Sequence, residues 1–199
     1  MLDQRNRQTS RMLRHPQEYH HTASRSLSGP SRRRANPFSP ELNMLLAAIV
    51  LVVIADAYFV ITTLVDLHPL NNVTQATPRE RRSEVLINAP IMLLPAILLT
   101  LAGATGYAWL ALIGASGELL IALSGLILWW LPYLAGITVP WATAGTDSSW
   151  AELHARTYEH TVIILPRIGD RPRPNLEHMI LHVLLITAAV FGFIAAAHA

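Results

Sequence analysis

The sequence predicts an all-α, polytopic membrane protein: four transmembrane helices in a bundle, with an interfacial loop and short helix between spans three and four. Three observations carry this reading. Of the 199 residues, 52% are hydrophobic and only 14% are charged, against about 25% charged in ordinary soluble domains. Four apolar runs each approach the ~20 residues that cross about 30 Å of hydrocarbon. The charge that remains is segregated, with eight of the 15 basic residues inside residues 1–40.

Composition also removes whole classes of chemistry. The chain has no cysteine, which excludes disulfide scaffolds, thiolate-held zinc, iron–sulfur clusters and dithiol redox chemistry. Every basic residue is arginine, so Schiff-base and P-loop lysines are excluded as well. With so much alanine, that bias points to a GC-rich bacterial genome and hence to a bacterial cell membrane. A net charge of +2 is too small to imply nucleic acid as a partner.

Residues 1–40 read as a disordered, Arg-rich tail that cannot bury enough apolar surface to offset chain entropy. No apolar run occurs before Leu42, so a signal peptide is not expected. The partner expected for the tail is anionic lipid headgroup, worth about 1 kcal/mol per arginine near the bilayer surface. The plainer alternative is a solvated tail that only sets orientation. No aromatic platform accompanies the charge, which again argues against nucleic acid.

Residues 41–199 form the expected four-helix transmembrane domain, with spans at about 43–65, 85–105, 107–132 and 176–198 and a long loop at 133–175. Asp56 interrupts the first span. Pro90 and Pro95 predict a kink in the second. Gly103-Ala104-Thr105-Gly106 is a tight uncharged turn that makes spans two and three an antiparallel hairpin. The third span carries Glu118 and ends on Trp129, Trp130, Pro132 and Tyr133, an interfacial belt that Trp141 and Trp150 extend. Ser149-x-x-Glu152 is a capping box opening a short helix near Trp150–His160. An extended stretch, Thr161–Leu165, and a Pro/Arg-rich segment, Pro166–Pro174, lead to Asn175 as N-cap of the fourth span, with Glu177 in its first turn.

Four spans put both termini on one side and both long connections on the other. The tail brings eight arginines to the first side, and the connections bring seven to the second. Exporting a forty-residue basic tail without a signal is difficult, so both termini are expected in the cytoplasm.

Acidic groups inside spans are rare, with Asp at a helix centre costing about 2.5–3.5 kcal/mol, so Asp56 and Glu118 require a reason. Glu118 belongs to a stripe spaced 4-3-4-3-4: Ala111, Ala115, Glu118, Ala122, Gly125, Trp129. Such spacing occupies one helix face, and small residues there let membrane helices pack closely. The fourth span repeats the pattern as His178, His182, Leu185, Ala189, Gly192, Ala196. At 1.5 Å per residue from the loop-side ends, His182 lies about 10 Å deep, Asp56 about 15 Å and Glu118 about 20 Å.

These residues support two sharp readings. Asp56, Glu118, His178 and His182 could line a loop-side pocket for a small ligand, a proton or a lipid headgroup. Alternatively, His178 and His182, at i and i+4, could hold a divalent metal with Asp56 or Glu118 as a further ligand, making a metal-dependent membrane enzyme. No other cofactor is expected. The plain alternative makes the acids glue between helices, with the histidines capping them. A further class is an accessory subunit of a membrane complex, or a homo-oligomer, in which the Ala111–Gly125 stripe would face outward. In the connection, Trp150, His154 and Tyr158 share one helix face and could form a lid, while Arg167, Arg171 and Arg173 could receive a headgroup or an acidic partner.

Gly114-Ala115-Ser116-Gly117 resembles the G-x-S-G nucleophile motif of the rhomboid intramembrane serine proteases. The resemblance implies Ser116 as nucleophile with His178 or His182 as its base. It covers four residues. That family has six core spans where this chain has four, and Leu185 and Ala189 stand where its histidine helix carries glycines.

Overall fold

The computed structural model describes residues 40–143 and 148–198. Five α-helices occur among them: α1 (Pro40–Leu64), α2 (Pro78–Thr105), α3 (Ala108–Ala135), α4 (Trp150–Tyr158) and α5 (Leu176–His198). Short 3-10 turns at Val73–Gln75 and Pro140–Thr143 complete the regular structure. The expected tail lies outside the described residues except for Pro40, which opens α1.

Helices α1, α2, α3 and α5 are each long and apolar enough to cross a membrane. They form a four-helix membrane bundle in which α1 packs on α2, α2 on α3, α3 on α5, and α5 back on α1. Three apolar layers cross it. Ala55, Phe59, Met92, Ala122 and Leu185 lie nearest the long connections. Val52, Ala96 and Ala188 make the middle layer, and Ala48, Leu99, Ala102 and Ala111 the far one. Small residues dominate the inside, while Val50, Leu94, Leu120 and Val183 point outward. That inversion of a water-soluble core suits helices that share their outer faces with lipid.

Helix α1 starts at Pro40 instead of near 43 and α4 ends at Tyr158 instead of near His160; two further boundaries, in α2 and α3, differ for local reasons. Helix α2 starts at Pro78 instead of near 85. The Thr77 hydroxyl accepts from the Glu80 N–H at 3.2 Å, and the Glu80 carboxylate accepts from the Thr77 N–H at 2.7 Å. This capping box, with proline at the first helical position, starts the helix two polar turns before the apolar run. Helix α3 runs past Pro132 to Ala135, and Gly136, at φ 70°, returns its N–H to the Pro132 carbonyl. Helix α4 ends at Tyr158, and its Ser149–Glu152 capping box is formed.

Polar side chains close the helix ends on the connection side. Asn71, 1% exposed, donates to the carbonyls of Thr62 and Val65 at 2.6 and 2.7 Å and accepts from the Leu67 N–H at 2.7 Å. It thereby satisfies carbonyls that the end of α1 leaves without intrahelical donors. The Arg81 guanidinium donates to the next one, Leu64, at 3.2 Å. Thr161–Leu165 forms no strand and bends at both ends: the Val162 N–H meets the Pro69 carbonyl, and the Val162 carbonyl accepts from Leu176. The first and third connections are thus tied into one polar layer.

Replacing Asn71 with alanine strands three backbone groups, so we expect a loss of about 1–3 kcal/mol. Thermal unfolding in detergent checks this against Gln75→Ala on the exposed turn, expected within about 0.5 kcal/mol of the parent. Equal melting of the two variants would rule out the cap.

Candidate functional site

Two histidines at the connection-side end of α5 are each fixed through Nδ1, in opposite hydrogen-bonding roles. The Trp130 indole N–H donates to His182 Nδ1 at 3.1 Å. An indole can only donate, so His182 Nδ1 is an acceptor and the ring's proton lies on Nε2. That Nε2 sits over Gly125, where an added Cβ would come within 2.6 Å of it. Gly125 is therefore a notch for the ring, which explains why the small stripe of α3 has no side chain at that position.

His178 is held the other way round. Asn175, fully buried at the N-terminus of α5, accepts the His178 backbone N–H on Oδ1 at 3.2 Å, and His178 Nδ1 lies 2.6 Å from the same oxygen. A carbonyl oxygen cannot donate, so Nδ1 carries the proton. Nε2, on the far side of the ring from Asn175, keeps its lone pair. The Asn175 amide donates to the Leu70 carbonyl, Thr161 Oγ1 and Glu177 Oε2 at 3.1–3.4 Å, which fixes its orientation. Trp129 packs at a tilt on the His178 ring, with centroids 3.5 Å apart and planes inclined by 31°.

These rings face a cleft of about 630 Å³ between α2 and α3. Its cause is local. At Gly114 the two helices touch, because an added Cβ there would meet the Pro95 carbonyl, Leu98 and Leu99 all at 3.2 Å. One turn nearer the connections, at Gly117, the nearest atom is Pro95 Cγ at 3.8 Å, and at Gly125 α3 contacts α5 instead. The helices diverge, and the wedge is floored by Leu181, His182 and Leu185. Its outer lips, Ile91, Leu94, Ile113 and Leu120, are exposed, so the cleft opens sideways toward lipid.

A second, more polar chamber of about 220 Å³, its walls polar and apolar in similar measure, adjoins it at the connection end. Its lining includes Thr62, Asn71, Glu80, Arg81, Arg156, Tyr158 and Glu177, and it shares Phe59, Glu84, His178 and Leu181 with the cleft. Glu80 faces Arg156 at 3.7 Å. Burial, and after it the negative charges of Glu84 and Glu177, push the Tyr158 hydroxyl well above its usual 10. Helix α4 roofs the junction. Its Trp150, His154 and Tyr158 rings pack on Trp129 with centroids 4.9–5.7 Å apart, as the shared face predicts.

No family model matches the chain, and no curated protein or solved structure does. The site is therefore read from its own chemistry.

Of the residues chosen from sequence, His178 and His182 meet at the cleft, with ring centroids 6.4 Å apart. Asp56 and Glu118 are buried but line neither cavity. Among the described residues, Asp56 Oδ1 and both Glu118 carboxylate oxygens have no hydrogen-bond partner. Among the described residues no three His, Asp or Glu side chains form a group able to hold a metal ion. The stripe Ala111, Ala115, Glu118, Ala122, Trp129 faces into the bundle, not outward as an accessory subunit would present it. Ser116 is nine residues, about 13 Å of helix, from the Gly125 that His182 covers, and no hydrogen bond joins it to either histidine, so the rhomboid-like pairing is not formed.

Arg167, Arg171 and Arg173 share a separate hollow of about 170 Å³ with His154, Glu159 and Asp170. There Arg171 donates to the Leu134 carbonyl at 2.6 Å, closing α3, and Arg173 to the Leu165 carbonyl at 3.0 Å. Sequence reasoning missed Glu84, Asn88, Gly125 and Trp130 as cavity or ring-positioning residues. The signal for Glu84 was present in the Thr77-Pro78-x-Glu80 capping box, which puts it on α2 instead of in a connection.

Two outcomes follow. Gly125→Ala should drive the His182 ring off Trp130 and cost about 1–3 kcal/mol through overpacking, measured by thermal unfolding, whereas Gly106→Ala, whose added Cβ meets nothing within 4 Å, reports φ strain alone and serves as the comparison. The second concerns His154, whose Nε2–H donates to the Arg173 carbonyl at 2.7 Å. Burial pushes this imidazole below its usual 6.5; the Arg173 charge acts in the same direction, and the carbonyl bond and Glu159 act against it. An unfolded histidine protonates near 6.5 while this one stays neutral, so its contribution is complete above that pH and declines as pH falls below it. Tryptophan fluorescence should report α4 loosening on acidification, and a His154→Phe variant should flatten the titration. An unchanged titration in the variant would remove His154 as the cause.

Proposed function

We propose that this integral membrane protein takes a lipophilic small molecule from the bilayer into the α2–α3 cleft and holds its polar end where the cleft meets the polar chamber. One observation carries the reading: an apolar cleft and a smaller chamber of mixed polarity share Glu84 and His178. About 630 Å³ is within the range of sites that enclose drug-sized ligands, about 300–1,000 Å³, and apolar walls with a few fixed polar groups are their usual chemistry. The sideways opening between Ile91 and Leu94 on one helix and Ile113 and Leu120 on the other gives entry from lipid without crossing water. Asp56 and Glu118 serve this reading only from behind the wall, as buried groups of the bundle.

The setting that goes with this reading is a bacterial cell membrane with both termini in the cytoplasm and the chamber on the opposite side. The concentration of eight arginines in residues 1–40 supports that orientation, with the tail on anionic headgroups. Arg167, exposed beside Arg171 and Arg173, is the group best placed to meet a headgroup on the chamber side.

Fluorescence quenching tests the cleft. A brominated alkyl alcohol titrated into the purified protein in detergent should quench tryptophan emission saturably, since Trp129 and Trp141 line the cleft. Ser124→Phe, which fills the wedge, should weaken the apparent affinity at least tenfold. Val183→Phe, on an exposed face of α5, should leave it unchanged. Quenching that never saturates, or that ignores Ser124→Phe, would overturn the proposal.

A further inference from the structure

The geometry points to a neutral lipid alcohol as the ligand, its single hydroxyl accepting from His182 Nε2–H and donating to His178 Nε2. This rests on the cleft being a binding site and adds the chemistry of what enters it.

The inference comes from the two tethers. Trp130 occupies His182 Nδ1 and Asn175 occupies His178 Nδ1, so each ring has one nitrogen left, and the two left over differ in kind. His182 offers a donor and His178 an acceptor. Neither Nε2 has a hydrogen-bond partner among the described residues, and both side chains line the cleft. The remaining polar groups there do not compete for the same role. The Ser124 hydroxyl donates to the Leu120 carbonyl within its own helix at 2.8 Å, and Glu84 and Asn88 are both exposed, at the rim.

A group that satisfies both nitrogens must accept and donate at once. Among simple oxygen and nitrogen ends that dissolve in an apolar wedge, a hydroxyl does this. An ether or ester accepts from His182 but leaves the His178 lone pair unmet. A carboxylate also lacks the proton and adds a charge near Glu84 and Glu177. An ammonium satisfies His178 but presents its hydrogens to the His182 N–H. Leaving a polar group buried and unmatched is the larger part of such discrimination. The volume suits one chain or ring system, with the remainder of a longer tail passing between the lips into lipid.

Displacement of the brominated alcohol by four probes of one chain length tests this: decanol, decyl methyl ether, decanoate and decylammonium. On the unaltered protein decanol should displace at least tenfold better than each of the others. His178→Phe should bring decanol and the ether within about threefold of each other, because the acceptor that tells them apart is gone. His182→Phe should weaken both together and preserve their ratio, and His182→Gln, which keeps a donor, should recover part of the loss. Saturable binding of the brominated alcohol with equal ranking of decanol and ether, or with decylammonium or decanoate preferred, overturns the alcohol assignment while leaving the cleft as a site. Failure of every probe to bind saturably overturns the site itself. The ranking on the unaltered protein decides the question even if a histidine variant does not fold.

Discussion

Lipid tails compete with leucine side chains for leucine side chains, so helices in a bilayer gain little by burying apolar surface against each other and must gain from close approach. Helices α3 and α5 do this along one seam. Gly192 lies so near α3 that an added Cβ would come within 3.0 Å of the Ala115 side chain, and Gly125 admits the His182 ring itself. Both small stripes therefore meet face to face. With α5 closed onto α3, α2 can approach α3 from one other side only, and it does so at Gly114 near the hairpin. Beyond that point nothing pulls the two together, since Ile91, Leu94, Ile113 and Leu120 are as comfortable in lipid as against each other. The cleft is thus a consequence of where the close α2–α3 contact at Gly114 ends.

The second constraint acts at the connection end, where backbone groups leave the helices and no water is assured. Each is met from the chain itself. Asn71 closes α1, Arg171 closes α3, Asn175 opens α5, and the Val162 amide and carbonyl bridge the two connections. Asn175 has the widest reach, because one amide touches the first connection, the third connection, Glu177 and His178. The same residue that starts α5 therefore also sets the proton position on His178. Fold and site chemistry are coupled through a cap whose loss would disturb both.

Much of this was legible in the residues. The four spans, the inward stripe of α3, the Ser149–Glu152 box and the Asn175 cap follow from periodicity and local hydrogen-bonding chemistry, which act over a few residues. The start of α2 was legible too, in Thr77-Pro78-x-Glu80, but apolar content draws attention to Val85 instead. The cleft was not legible, because it depends on a divergence between helices that no single segment encodes. Nor were the partners of the histidines: Trp130 is fifty-two residues from His182, and its spacing from the aromatic belt reads equally well as an interfacial anchor.

Rarity singles out Asp56 and Glu118 in the sequence, and they are indeed buried, yet neither reaches a cavity. A group's cost of burial says that something must accommodate it; it does not say that a ligand can reach it. His178 and His182 differ because each has been given one internal partner and denied another. A ring with both nitrogens bonded inside the protein would be structural, and a ring with neither bonded would rotate and interchange its tautomers. One bond to each ring fixes the plane, assigns the proton and leaves one unbonded nitrogen on a side chain that lines the wedge. Because the two assignments are opposite, the pair offers one donor and one acceptor, which neither ring could offer alone.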